Sequence, residues 1–425
     1  MAVPWRTNKK MGIKMKIHIF IMTIHLRCRS SSHLFMFSCS GILEFLLLLS
    51  WAKAMPPSAK SAPRLLSSYK PLIIGYCNWS QCDDKIVEAV RDGVNVVIWF
   101  SVNLNRNAET GLPNVEWRSA PSPDCVADVV QRIREIDPSV VHLMSIGGWN
   151  SPHPDTSNSV DAVFTELDRW NRVDMARPEL GFFGFDGWDW DIEGNDDVDS
   201  KYNEFTIECL DMMGKLAQRA KQAGYLFGMA PAESYLDPLL SLFDRSLKHE
   251  YPEWRELRPD FKHHGRNCYA YILSKYGKTS VDNGECIDTF DFVTVQLYEG
   301  YSHIEYRLNV LKDDPVVYFT DLVEKFQDGW IVPFGNDPEL NWADTRVSVP
   351  STQLVLGLAN GWAGDDKFLF VPSDQLAAVY LALLEKNLPI RGFAFWNIKD
   401  EGIPVKREPT TPVWLARDLR EITQK

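Results

Sequence analysis

Positive charge is scarce over most of this chain. Of its 45 lysines and arginines, eight fall in the first 54 residues, beside one acid, Glu44. The remainder holds 37 basic against 56 acidic residues, a formal charge of −19. Such a body does not bind nucleic acid or an anionic membrane through bulk electrostatics. Cysteine is thin and dispersed. None of the eight forms a Cys-x-x-Cys pair, which argues against zinc-binding and thioredoxin-like readings. No Gly-x-Gly-x-x-Gly follows the first strand candidate, so dinucleotide binding has no support. Internal repeats and low-complexity tracts are absent too.

What is present begins with an N-terminal region unlike the rest. Basic residues precede an apolar run from Ile42 to Ala52, which ends in the small-x-small sequence Ala52-Lys53-Ala54. Residues 1–54 therefore read as a cleaved signal peptide, and the protein as secreted. Residues 34–52 are just long enough to span a bilayer if left uncleaved, so a membrane anchor is the alternative. Residues 55–70, rich in proline and serine, read as a linker. Six cysteines remain in the body. Cys268 with Cys286, or Cys77 with Cys82, could close a loop, but the pairing cannot be read from spacing.

Along 71–425, eight short apolar strand candidates recur: Leu72–Cys77, Val94–Val102, Val141–Gly147, Phe183–Glu193, Tyr225–Pro231, Phe290–Tyr298, Leu354–Ala359 and Arg391–Trp396. Amphipathic stretches lie between them, among them Val126–Ile136, Val160–Trp170, Tyr202–Ala223, Leu322–Phe326, Ser373–Lys386 and Val413–Ile422. Eight strand–helix units imply an α/β fold, a single-domain (β/α)8 TIM barrel.

The fourth candidate carries the chemistry. It reads as one buried strand, Gly181-Phe182-Phe183-Gly184-Phe185, running into Asp186-Gly187-Trp188-Asp189-Trp190-Asp191-Ile192-Glu193. Alternation along a strand puts Asp189, Asp191 and Glu193 on one face and Trp188, Trp190 and Ile192 on the other. Three like charges in an apolar site cannot all ionise, so at least one pKa must rise, which is what general-acid catalysis needs. A calcium loop is disfavoured, because Ser200 stands where its bidentate glutamate belongs. No metal or other cofactor is expected. Asp186 has the opposite parity and, with Gly187, is read as structural. Other strand ends add polar and aromatic groups: Tyr76 on the first, Ser145-Ile146-Gly147-Gly148-Trp149 on the third, Met229-Ala230-Pro231 on the fifth, Gln296-Leu297-Tyr298-Glu299 on the sixth and Trp396 on the eighth.

The spacing Asp-Gly-x-Asp-x-Asp-x-Glu resembles the signature of glycoside hydrolase family 18. The Ser-x-Gly-Gly, Met-Ala-Pro, Gln-x-Tyr and final Trp elements are similar to that family's in the same order, over about residues 70–400, and closer to its plant and fungal class III subgroup. Glu299 stands where that subgroup usually has Asn, and Ala232 where Glu or Gln is common, with Glu233 one place later; both positions would border sugar subsites. Only about 31 residues separate the seventh and eighth strands, too few for the small α+β insertion of many processive relatives, so an open groove suited to endo cleavage is expected.

The resemblance implies a retaining, substrate-assisted hydrolase of β-1,4-linked N-acetylglucosamine polymers. Glu193 would be the general acid and base. Asp191 would hold the 2-acetamido N–H, Asp189 would share a proton with Asp191, and Tyr298 would orient the acetamido oxygen. Trp396, Met229, Gln296, Gly148, Trp149 and Tyr76 would bind sugar. The implied partner is an N-acetylglucosamine-containing polysaccharide or oligosaccharide, met by a monomer. An endo-β-N-acetylglucosaminidase acting on N-glycan cores and a non-catalytic chitin-binding lectin are the competing expectations.

Overall fold

A computed structural model describes residues 70–117, 119–197, 199–247, 266–299, 302–364, 368–406 and 408–424. The signal-peptide reading and, but for its last residue, the linker reading lie outside the described residues. Within these residues no helix is long and apolar enough to cross a membrane.

Eight parallel strands close on themselves. They are β1 (Leu72–Tyr76), β2 (Val96–Arg106), β3 (Val141–Gly148), β4 (Gly187–Ile192), β5 (Leu226–Met229), β6 (Phe292–Gln296), β7 (Leu354–Ala359) and β8 (Gly392–Trp396). Each pairs with the next in sequence, and β1 pairs with both β8 and β2, so no edge is left open. A helix follows every strand: α1 (Asp84–Asp92), α2 (Pro123–Ile136), α3 (Val160–Arg169), α4 (Ile207–Gln222), α5 (Cys268–Tyr276), α6 (Pro315–Asp328), α7 (Ser373–Glu385) and α8 (Leu415–Thr423). The chain is a (β/α)8 barrel, and among the described residues no α+β domain interrupts the β7–β8 connection.

Local chemistry explains where the helices begin. Asp83, Ser122, Ser159, Thr206 and Asp314 each turn a side-chain oxygen onto a first-turn amide, and Pro123 and Pro315 occupy first-turn positions where no amide is needed. The last helix is held differently. Buried Glu401, after β8, accepts from Leu415 N at 3.1 Å and Ala416 N at 3.2 Å, docking α8 back onto the barrel.

Strand alternation sorts the core into two layers. Leu72, Ile74, Val96, Ile98, Val141, Leu143, Leu226, Phe292, Val355 and Ala394 fill the barrel interior. Trp99, Met144, Trp188, Trp190, Ile192, Phe227, Met229, Val293, Leu356 and Phe393 pack outward against the helices. The interior turns from aliphatic to polar toward the C-terminal rim, where barrel sites form.

Two sequence expectations need correction here. The fourth strand starts at Gly187, not near Phe183. Phe185 N donates to Asn171 Oδ1 (2.7 Å) and Phe185 O accepts from Asn171 Nδ2 (3.0 Å), so a side chain takes the place of a ladder neighbour. Phe183 is left exposed. Neither proposed cysteine pair forms: Cys82 bonds to Cys125 across 43 residues, tying the loop after β1 to the start of α2. Cys77, Cys268 and Cys286 are free thiols.

Candidate active site

β4 delivers its acids to the barrel mouth. In register, Asp189 lies between Ser145 of β3 and Gly228 of β5, and Asp191 lies beside Gly147. Asp189, Asp191 and Glu193 are all buried, while Trp188 and Trp190 fill the layer behind them. Gly187 lies flat on β5, where a Cβ would come 1.9 Å from Leu226 O, which accounts for the glycine in the motif. Asp186 caps the opposite end, its Oδ2 accepting from His142 N at 2.9 Å.

The three acids are held by neutral donors. Tyr76 Oη donates to Asp189 Oδ2 at 2.8 Å. Gln296 Nε2 donates to Asp191 Oδ1 at 2.8 Å and to Ala230 O at 2.7 Å, and Tyr298 Oη donates to Gln296 Oε1 at 2.9 Å. Asp191 and Glu193 share a side-chain hydrogen bond. Asp189 Oδ1 has no partner among the described residues.

Burial sets the electrostatics. Burial first, then the charge of Asp191, holds Asp189 well above the carboxylate range. Burial, then Glu193, does the same to Asp191. Burial, then Glu299, pushes Glu193 up to about 8, against hydrogen bonds from Asp191 and Gln296. Glu299 is itself pushed up to about 8, by burial and then by Asp191. Glu193 is therefore largely protonated at neutral pH, poised to give up a proton.

Beside Asp191 opens a narrow pocket, lined among others by Tyr76, Ala230, Gln296, Tyr298 and Trp396. Trp396 meets the edge of Phe100 at 4.8 Å, and Phe100 meets Trp79 at 4.3 Å, an aromatic path from the cavity to the surface. Gly148, with φ +105°, permits that path, since a Cβ would come 2.4 Å from Phe100 Cζ. The Phe100–Ser101 and Trp396–Asn397 peptides are cis.

The structure thus brings together Glu193, Asp191, Asp189, Tyr298, Gln296, Tyr76 and Trp396. It does not bring Met229. In register with Trp190, Met229 points outward and is fully buried in the strand–helix layer, so it is core and not a sugar contact. Trp149, like Glu193 and Asp189, does not itself line this pocket; its indole N–H donates to Asp196 Oδ1 at 3.0 Å, on the loop that follows Glu193. Glu233 does not border the cavity: its carboxylate accepts from Tyr318 Oη and Ile304 N, both at 3.2 Å. Tyr269 brackets Ile192, its hydroxyl accepting from Ile192 N and donating to Ile192 O at 2.9 Å each.

Phe100 and Trp362 escaped the sequence reading. Trp362 donates to Trp396 O at 2.6 Å and packs 6.0 Å from Tyr298. A signal existed for it, because Trp362 stands three residues past the end of β7, a strand end whose polar and aromatic content was not weighed.

No protein-family model and no curated protein matches the chain. Solved structures similar to it include a GH18 chitinase from Pseudoalteromonas aurantia, 13% identical with a TM-score of 0.46, covering 83% of this chain and 99% of that one. A fungal endo-β-N-acetylglucosaminidase from glycosyl hydrolase family 18 is 12% identical with a TM-score of 0.44, covering 83% and 98%. A xylanase-α-amylase inhibitor protein, XAIP-I, is 16% identical with a TM-score of 0.43, covering 77% and 93%. Two of the three bear the family name that the motifs resemble. The reading of the site rests on its own geometry.

Proposed function

We propose that this chain is a family 18 glycoside hydrolase that cleaves β-1,4 linkages of N-acetylglucosamine polymers with retention. The observation that carries the reading is the row of three buried carboxyls at the end of β4, closing in a Glu193 pushed up to about 8. Glu193 protonates the glycosidic oxygen, which leaves. The 2-acetamido oxygen of the substrate attacks the anomeric carbon, so no carboxylate nucleophile is needed. Asp191 accepts from the acetamido N–H and stabilises the positive charge that develops there. Asp189 holds the proton that Asp191 does not. The Tyr298 hydroxyl re-aims from Gln296 Oε1 onto the acetamido oxygen, and Trp396 floors the sugar. Water then attacks the anomeric carbon and displaces the acetamido oxygen from it while Glu193 takes the water's proton, restoring the starting state.

The same atoms support a 2-acetamido sugar as the substrate class, since such a sugar carries its own nucleophile. An uninterrupted β7–β8 connection supports an open groove and internal cleavage. The body, residues 71–425, acts as one catalytic unit, secreted after loss of residues 1–54 and monomeric.

The test is hydrolysis of a chitin hexasaccharide by the full chain, wild type beside Glu193→Gln, read by mass. Short oligosaccharides from the wild type alone support the proposal. Binding without cleavage by either points to a lectin. Neither binding nor cleavage points to an enzyme of N-glycan cores. Cleavage by both removes Glu193 from the mechanism.

A further inference from the structure

Glu193 lies one residue beyond the last ladder position of β4, where no strand neighbour fixes its backbone. The loop after β3 supplies what the ladder does not. His153, buried, places Nε2 3.1 Å from Glu193 O. A carbonyl only accepts, so Nε2 carries the hydrogen. Burial pushes the imidazole down to about 4, so it is neutral whenever Glu193 is at work. His153 is locked in turn by stacking on Phe205 at 4.6 Å.

Asn150 extends the contact. Its N donates to Gly194 O at 3.0 Å, its Oδ1 accepts from Asp196 N at 2.8 Å, and its Nδ2 donates to Asp196 Oδ2 at 2.7 Å. Trp149 adds its indole donor on Asp196 Oδ1, and its ring edge comes within 3.5 Å of where a Gly194 Cβ would stand. Asn150 has φ +66°, a left-handed conformation that asparagine tolerates better than most residues. Glu193 and Asp196 are thereby held by side chains of the loop after β3, and Gly194 between them by the Asn150 amide.

We infer that His153 and Asn150 form a clasp that positions the general acid, Glu193, from its main chain. This rests on Glu193 being the acid. The groups facing Glu193 are Asp191 on its own strand, Tyr298 and Glu299 after β6, Tyr235 after β5 and Tyr269 on α5. All are neutral or acidic, so a Glu193 set free to move toward water loses the burial that keeps it protonated. The clasp fixes both where the proton is delivered and the pH at which it is available.

The test compares His153→Leu, His153→Gln and Asn150→Gly in the full chain on the hexasaccharide. His153→Leu deletes the donor, and His153→Gln restores an N–H at similar reach. Asn150→Gly removes the side-chain half of the clasp but keeps the left-handed backbone. The leucine and glycine variants should lose about 30- to 100-fold in kcat with KM within about twofold, as expected for an ångström-scale misplacement. The alkaline limb of their kcat/KM profile should move to lower pH, and the glutamine variant should recover most of both. A parallel carboxyl-carbon NMR titration of Glu193, assigned by its absence in Glu193→Gln, reads the same shift without turnover. Wild-type kcat and an unmoved Glu193 titration in both the leucine and glycine variants overturn the clasp while leaving the proposed function standing. Full activity in Glu193→Gln overturns both together.

Discussion

Two clusters of buried acids lie on neighbouring loops of this barrel, and they are treated in opposite ways. The β4 row of Asp189, Asp191 and Glu193 receives only neutral donors, from Tyr76 and Gln296. The second cluster, Glu233 and Asp237 after β5, is compensated. Asp237 Oδ2 lies 2.5 Å from His303 Nδ1, and its Oδ1 accepts from Leu239 N at 2.8 Å. Glu233 takes Tyr318 Oη and Ile304 N. Glu233 is still pushed up to about 7, by burial and then by Asp237, but His303 and those donors oppose the shift. Burial is equal in the two clusters. What differs is whether the fold supplies a partner that makes ionisation tolerable. The compensated cluster joins the loops after β5 and β6 to α6. The uncompensated one faces a cavity and stores protons.

Breaking the first cluster should stop chemistry, and breaking the second should only loosen the fold. The largest expected effect is Glu193→Gln, which should lower kcat by about 10³-fold, within the range for loss of a general acid, while hexasaccharide binding by calorimetry stays close to wild type. The matched change Glu233→Gln should leave kcat within a few-fold and instead lower the unfolding free energy, read by urea titration, by about 1–3 kcal/mol for a buried hydrogen-bonded carboxyl. Should Glu233→Gln prove the more damaging to kcat, the contrast between the clusters fails. Next in size is Asp191→Asn, expected to cost about 10²-fold in kcat on the hexasaccharide through poorer acetamido positioning.

The pH dependence sharpens the same contrast. Glu193 and Glu299 have folded-state values of about 8, above their unfolded values near 4.5. Groups raised in this way contribute stability that is fully present below about 4.5 and lost as pH climbs through 8. Melting temperature should therefore fall from about pH 4.5 to 8 and level off above, and Glu193→Gln, which cannot ionise, should flatten that slope. His142 and His153, depressed to about 3 and 4, act in the other direction and only below about 6.5. Activity should follow Glu193 itself, kcat/KM declining as pH rises through about 8. The smallest effect is expected at Met229→Leu, a volume-conserving change in the outer layer that should cost under about 1.5 kcal/mol and leave kcat/KM unmoved. A marked rise in KM there would return Met229 to the sugar site.

Much of this molecule is legible in its sequence because a strand has a period of two. Asp189, Asp191 and Glu193 had to share a face, and Trp188 and Trp190 the other, once the segment was read as a strand; the tryptophans then said which face met the helices. Eight apolar runs separated by helical patterns led to the barrel by the same local rules. Met229 shows where the reasoning slipped. Its strand was found, but parity was not carried across to it from Trp190, the residue beside it in register. Phe183 marks another limit, since aromatic content alone extended a strand into a segment whose amides bond to Asn171.

The rest depended on closure of the barrel. Gln296 meets Asp191 across 105 positions, Tyr76 meets Asp189 across 113, and Cys82 finds Cys125 across 43. His153 and Glu193 come together because two rim loops on adjacent strands are bent onto each other. Propensity and periodicity act over a few residues and set which side chains face inward. Which inward-facing group touches which is set by strand register and by the path of the loops, and these exist only when all eight strands have paired.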